Sequence, residues 1–439
     1  MADGLTAAII AVGSELLTPH KTDTNSLHVS EVLNDLGIAV AFKAIVGDNR
    51  AELAAHVAHA LSRHRVLVLT GGLGPTDDDL TREVVASQLA LPLEENAAII
   101  DAIERRFAAR GWKMPAVNRR QAMVPRGATV LDNPHGTAPG LWIEHGDPLS
   151  AAAAGGGRVV VLLPGPPREM KPMMDGEVRR RLGAIAGSVR LHRRLVRVAG
   201  KGESAVEEIV QPIYSRWLMQ SPTIETTILA GLGQVELHLV TQSDDALLAS
   251  ASLDRAVAEL TAALGPDLVS TDGTMLEAVV GDLLRARGWW VAFAESCTGG
   301  LATSRMTDIP GSSEYVERSV VAYSNRAKIE WLDVPDQLIV EHGAVSEPVA
   351  LAMAAGIRKR AGVDIGVGIT GIAGPGGGSD HKPVGTVCIA VDGLSAGASV
   401  KAGGEARVRT FRFPGGREMV KAMSANWAID MLRRYLITN

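Results

Sequence analysis

The amino-terminal third alternates short apolar runs with longer mixed segments. Leu5 to Val12, Ile38 to Val46 and Arg65 to Thr70 predict strands. Asn25 to Leu36, Asn49 to His64 and Leu80 to Ala90 predict the helices between and after them. Strands alternating with helices imply a parallel sheet joined by right-handed crossovers. Gly140 to Glu144 and Arg158 to Leu163 predict a further strand pair, joined by the low-complexity stretch Gly146 to Gly157, which reads as a flexible loop tip. Pro164-Gly-Pro-Pro-Arg-Glu-Met170 then opens a helix.

The texture changes over residues 175–265. Strands are expected at Arg190 to Val198, Thr223 to Ala230 and Gln234 to Thr241, with helices at Ala205 to Tyr214 and Asp244 to Leu264. This is a small α+β unit. Its Gly200-Lys-Gly loop before a helix could hold nucleic-acid backbone in a KH-like domain. The four-residue GXXG form and a basic surround are both missing, so a connecting or dimerising role is expected. Leu264-Gly-Pro-Asp267 reads as a boundary, giving domains 1–174, 175–265 and 266–439. The fold class is α/β, with two doubly wound domains joined by the small α+β one.

In the last domain the apolar run Gly288 to Phe293 leads into Ala294-Glu-Ser-Cys-Thr-Gly-Gly300, and a helix follows from Leu301 to Met306. A strand thus ends at two potential nucleophiles, Ser296 and Cys297. Unpaired N–H groups at such a helix start can bind an anion or an oxyanion. Open α/β sheets place ligands at these strand ends. Ser319 to Tyr323 predicts another strand, Ser324-Asn325 a helix cap, and Arg326 to Leu332 a helix. Lys328 falls in the first helical turn, where the helix dipole disfavours an ammonium. Burial would lower its pKa further from the usual ~10.4. A neutral Lys328 could take a proton from Ser296, with Tyr323 relaying or stabilising. The alternative is a solvated lysine and a half-buried tyrosine. A third element, Gly366-Val-Gly-Ile-Thr370-Gly371-Ile-Ala-Gly374, runs from a strand into a glycine-dense loop suited to close phosphate approach, or simply a surface loop.

Three acidic positions follow the three amino-terminal strands: Glu15, Asp48 and the run Asp77-Asp78-Asp79, the last after Gly71-Gly72-Leu-Gly74-Pro-Thr76. Strand ends of a parallel sheet share one crevice. Converging carboxylates there suit a divalent metal bridging to phosphate. The alternative is that each acid sits in the first turn of a following helix.

Composition narrows the class. The chain has 439 residues, 46% of them hydrophobic and 21% charged, with 47 glycines and few aromatics, which favours soluble α/β domains. A net charge of −5 offers no basic domain for nucleic acid. Two cysteines, Cys297 and Cys388, make neither a disulfide framework nor a metal-ligand spacing, so a reducing cytoplasm is expected. The amino terminus lacks the pattern of a signal peptide, and no segment reads as membrane-spanning.

The carboxyl-terminal motifs resemble the CinA carboxyl-terminal domain, whose members include nicotinamide mononucleotide deamidases. AESCTGG (294–300), DIPGSSEYVERSVVAYSNRAK (308–328), HGAVSE (342–347), TGIAGPGGG (370–378) and KPVGTV (382–387) carry the likeness. The resemblance implies amide hydrolysis by Ser296, Tyr323 and Lys328 without a cofactor. It implies substrate contacts at Thr298, Gly299, Gly300, Thr370, Gly371, Gly374 and Arg417. Where the family has Gly-Asp-Arg, this chain reads Gly415-Gly416-Arg417. The glycine-rich Gly71–Asp79 motif, LPGPPREM (163–170), VGSELL (12–17) and Asp23-Thr-Asn25 resemble the amino-terminal CinA domain, related to molybdopterin-binding MoaB and MogA. That implies catalytic Asp48 and Asp79. It implies substrate contacts at Asn25, Gly71, Gly72, Gly74 and Thr76, and Mg²⁺ or a similar ion held by Glu15, Asp48, Asp78 and Asp79. The implied activities are deamidation of nicotinamide mononucleotide and hydrolysis of ADP-ribose to AMP and ribose 5-phosphate, by a cytoplasmic homodimer with no membrane or nucleic-acid partner. Two rivals stay open: a pterin-binding or competence-related protein without catalysis, and an adenylyl transferase acting on a pterin.

Overall fold

The computed structural model describes residues 5–146, 157–231, 233–393 and 406–439. The Gly146–Gly157 joint lies almost wholly outside the described residues. Two compact units are distinguished, Met1–His192 with Gln242–Ala249, and Arg193–Thr241 with Ser250–Asn439.

The first unit is built on a six-stranded sheet. Ala39–Val46, Thr6–Val12, Val66–Thr70 and Arg158–Leu163 run parallel in that order. Gly140–His145 and Thr129–Leu131 extend it antiparallel. The central strands are Val-, Ile- and Leu-rich because helices cover both faces. Alternate residues separate into two cores: Ile10 and Leu67 pack towards the helix Arg50–Arg63, while Ile9 and Val68 face the helix Asn25–Asp35. The four parallel strands end together at Gly13, Gly47, Gly71 and Pro164, so the acidic and glycine-rich motifs share one edge.

The helical segment Pro167–Met173 continues through Arg179–Ile185, and Met174, Val178 and Leu182 share a core with Ile9 and Val29. The boundary expected at residue 174 therefore falls inside packed helix, and the amino-terminal unit runs past it. The boundary expected at 265 also shifts. Leu268–Ser270 pairs with Arg190–Ala199 as the edge of the four-stranded sheet that carries Ile224–Ala230 and Gln234–Ser243. The small α+β element is thus joined to the carboxyl-terminal domain by a strand, and by Arg433 and Arg434 of the last helix. Those two reach the carbonyls of Leu268, Pro266 and Ala199 and the carboxylate of Asp267.

The carboxyl-terminal sheet orders Val316–Val321, Val291–Glu295 and Ile365–Gly371 in parallel, then Thr386–Gly393 and Ala406–Arg412 antiparallel. Phe293 and Val367 face a core completed by the helices Leu276–Arg287, Leu301–Thr307 and Arg417–Thr438. Ala292 and Ala294 face the opposite layer, with Leu332, Val349 and Met353. Two-sided coverage confirms the α/β class expected for both large domains.

Candidate active sites

In the carboxyl-terminal domain the central strand ends at Glu295, and Ser296 begins the turn. The Ser296 N–H still donates to Ile369 O of the neighbouring strand at 2.9 Å, which fixes the start of the turn. Ser324 caps the helix Asn325–Leu332, its side chain accepting from Ala327 N. One turn later the Lys328 side chain is only 2% exposed. Its Nζ lies 3.1 Å from Ser296 Oγ, 3.0 Å from Ala322 O and 3.3 Å from Tyr323 O. Burial holds the Lys328 pKa below the usual lysine range. A neutral amine has two N–H donors and one lone pair. With two carbonyls taking the donors, the lone pair is left for the serine hydroxyl.

The competing nucleophile is shut away. Cys297 is 5% exposed, and burial pushes its thiol up to about 12, only partly opposed by the Cys297 and Thr298 amides. Its sulfur packs on Gly371, where an added Cβ would stand 2.9 Å from Sγ, so only glycine fits that place.

Three expected contacts differ. Tyr323 lies two residues past its strand and is 60% exposed. Its phenol oxygen accepts from Arg417 Nη2 at 3.2 Å, so its backbone carbonyl, not its hydroxyl, meets the Ser296–Lys328 pair. The helix start expected to bind an anion is already filled. The buried Glu295 carboxylate accepts from Gly300 N, Ala302 N, Thr303 N and Thr303 Oγ1. Gly299 N is taken by Ser296 O. Among the described residues, the amides of Cys297 and Thr298 donate to no oxygen, and Thr298 Oγ1 is buried without a partner. Thr370 Oγ1 donates to Ala344 O and braces the 342–347 loop, while Gly374 O accepts from Arg417 Nη1. The Thr370–Gly374 segment is thus tied to the 342–347 loop and to the first residue of the last helix.

Glu295 was not anticipated, although an acid directly before a turn and helix is the available signal. Its four charge-assisted bonds are each worth about 1.5–3 kcal/mol. Glu295→Ala would orphan buried N–H groups and is expected to destabilise this domain by roughly 3 kcal/mol or more. Denaturant unfolding measures this; a loss under about 1 kcal/mol would contradict the capping role.

In the amino-terminal unit, Glu15, Asp48, Asp78 and Asp79 line one pocket of ≈ 360 Å³ with Gly71, Gly72, Gly74, Gly165 and Glu169. Gly71 is required there, because a Cβ would meet Val12 O at 2.1 Å. Asn25 Nδ2 donates to Gly165 O, and its Oδ1 is buried without a partner. Asp79 latches the loop, accepting from Gly74 N at 2.7 Å, Thr76 N at 2.9 Å and Thr76 Oγ1 at 2.5 Å. Arg82, buried behind it, donates to Leu73 O and Gly74 O, and burial lowers its pKa to about 10. A buried arginine inside Leu80-Thr-Arg-Glu-Val was the missed signal.

The expected four-carboxylate metal set does not close. Among the described residues no three Asp, Glu, His or Cys side chains gather to hold an ion. Glu15 pairs with Lys21 at 2.9 Å, Asp48 accepts from Ser14 N at 2.8 Å, and Asp79 is spent on its own loop. Such a site suits Mg²⁺ only when substrate phosphates complete the shell, the usual mode for that ion.

No helix among the described residues is long and apolar enough to cross a membrane. The profile of the CinA C-terminal domain matches residues 273–436, and that of the "Probable molybdopterin binding domain" matches 8–184. A CinA-like protein of Koribacter versatilis is 44% identical over 435 residues, 98% of this chain and 100% of its own length. Another, from Solibacter usitatus, is 40% identical over 428 residues, covering 98% of this chain and 97% of its own. A solved CinA superfamily protein from Klebsiella pneumoniae is 34% identical over 37% of this chain and 97% of its own, with a TM-score of 0.35. With relatives matched along nearly its whole length, and a MoaB/MogA-like domain preceding the carboxyl-terminal one, the chain belongs to the CinA family.

Proposed function

We propose that the carboxyl-terminal domain hydrolyses the carboxamide of nicotinamide mononucleotide, and that the amino-terminal domain cleaves the diphosphate of ADP-ribose, both in the cytoplasm. The carrying observation for the first activity is the buried Lys328 amine 3.1 Å from Ser296 Oγ. Lys328 takes the Ser296 proton as Oγ bonds to the amide carbon, and the carbonyl electrons move to oxygen. The amides of Cys297 and Thr298, which face the Cys297 sulfur and donate to no oxygen among the described residues, are the candidate donors to that oxyanion. Collapse breaks the C–N bond, and Lys328 returns the proton to departing ammonia. Water then attacks the ester on Ser296 and gives a proton to Lys328; as the acyl carbon–Oγ bond breaks, Lys328 returns that proton to Ser296 Oγ, releasing nicotinate mononucleotide and the neutral amine. No metal takes part.

At the amino-terminal pocket, a divalent ion would supply neutralisation of the diphosphate charge, with Asp48 and Asp78 the carboxylates best placed to hold it. The Gly71–Gly74 backbone and Asn25 would position the phosphates. Assay of the full chain distinguishes the readings. Ammonia release from nicotinamide mononucleotide should persist in EDTA, whereas AMP release from ADP-ribose should stop. A folded protein that releases no ammonia would favour a binding role without catalysis.

A further inference from the structure

Five carboxylates line the amino-terminal pocket, and one differs from the rest. Glu15 pairs with Lys21, Asp79 is committed to its own loop, and Asp48 and Asp78 are the two assigned to an ion. None of these four is buried. The fifth, Glu169, stands in the first turn of the helix Pro167–Met173 and is only 8% exposed. Its Oε2 accepts from Asn133 Nδ2 at 2.9 Å. Asn133 is itself buried and fixed. The same Nδ2 donates to Ala138 O at 2.7 Å, and Oδ1 accepts from the amides of His135 and Gly136 at 3.0 and 2.9 Å. A Cβ on Gly136 would stand 1.7 Å from Glu169 Oε2, so only glycine there lets the carboxylate lie where it does. Oε1 accepts no hydrogen bond among the described residues and stays accessible from the pocket.

Proton abstraction calls for a carboxylate drawn out of bulk water, locked in one orientation and left with an open oxygen. Cleavage of a diphosphate by water needs such a group beside the Gly71–Gly74 turn, and the other four acids are engaged elsewhere. We infer that Glu169 is the general base of the amino-terminal reaction, with Asn133 its positioning residue. The water oxygen bonds to one phosphorus of the diphosphate as Oε1 takes a water proton. The bond from that phosphorus to the bridging oxygen breaks, and its electron pair stays on the leaving phosphate. The proton on Glu169 then passes to solvent, and AMP and ribose 5-phosphate depart. This rests on the ADP-ribose reading for its substrate.

The test compares Glu169→Gln and Glu169→Ala with the unsubstituted full-length protein, assayed for AMP release with Mg²⁺ present. Glutamine keeps the side-chain volume and an acceptor oxygen for Asn133 Nδ2, so it removes the base and spares the loop. Glu169→Gln should lower kcat on the order of 10²–10⁴-fold, the range for a positioned base. KM for ADP-ribose, the thermal midpoint and ammonia release from nicotinamide mononucleotide should stay close to the unsubstituted values. Glu169→Ala should be as slow and should regain rate when formate is added, because a small carboxylate then takes the vacated place. Full kcat in Glu169→Gln would reduce Glu169 to a strut for Asn133 and overturn the assignment. A raised KM with unchanged kcat would make it a contact to a substrate hydroxyl and overturn it as well. Should the unsubstituted protein release no AMP, the hydrolase reading falls and the base falls with it, whereas a fully active Glu169→Gln removes the base alone.

Discussion

Ser296→Ala is expected to lose more than about four orders of magnitude in deamidation rate, while Cys297→Ala keeps most of it. Cysteine is intrinsically the stronger nucleophile. A thiol near 12, however, leaves a thiolate fraction of about 10⁻⁵ at pH 7, and the sulfur is packed against Gly371. Lys328→Ala should cost on the order of 10²–10⁴, as for removal of a positioned base. The active amine is the neutral one. The rate should therefore rise with pH through the lowered Lys328 pKa and level off before the ordinary lysine range. A rise only near ~10.4 would mean an unperturbed lysine. The same shift links protons to folding. Between the lowered value and the ordinary one the unfolded chain binds the extra proton, so stability rises with pH in that window. Lys328→Met should remove that penalty and make the inactive protein more stable than the native one at neutral pH.

Asp79→Ala should abolish ADP-ribose cleavage and leave deamidation intact. The carboxylate accepts from two backbone amides and a hydroxyl of its own loop, so its loss unlatches the Gly71–Thr76 turn on which any phosphate would rest. Each such bond is worth about 1.5–3 kcal/mol, enough together for a loss of 10²-fold or more. Asp77→Ala should matter little, because that side chain is exposed and pairs with Arg120 at 2.6 Å. AMP release by the two variants measures this. Full hydrolysis by Asp79→Ala would place the site elsewhere.

The α/β architecture and the Ser296–Lys328 pairing were legible because both follow from strand ends, helix caps and short-range order. The Ser324 cap alone puts Lys328 one turn into its helix. What was not legible depends on side-chain direction and on packing between distant segments. Tyr323 turns its phenol toward Arg417, 94 residues away in sequence, and nothing local announces that. Glu295 folds back onto the helix start because a buried carboxylate and four donors satisfy each other there, which removed the anion site expected from backbone alone. The acids that share the pocket edge do not gather into one cluster, because Glu15, Asp48 and Asp79 have nearer partners in Lys21, Ser14 and the Asp79 loop. The final helix hid its importance because it is buried on most sides and carries the interior pair Asp430–Arg433, which blurs any apolar stripe. The boundary expected at 174 depends on distant packing in the same way, because Val178 and Leu182 complete the first core.

The most direct test of the Ser296–Lys328 mechanism is to quench turnover of nicotinamide mononucleotide rapidly and locate the covalent intermediate by peptide mass spectrometry. An acyl ester on Ser296, absent from Ser296→Ala and present in Cys297→Ala, is the predicted result. An adduct on Cys297 that survives in Ser296→Ala would contradict it.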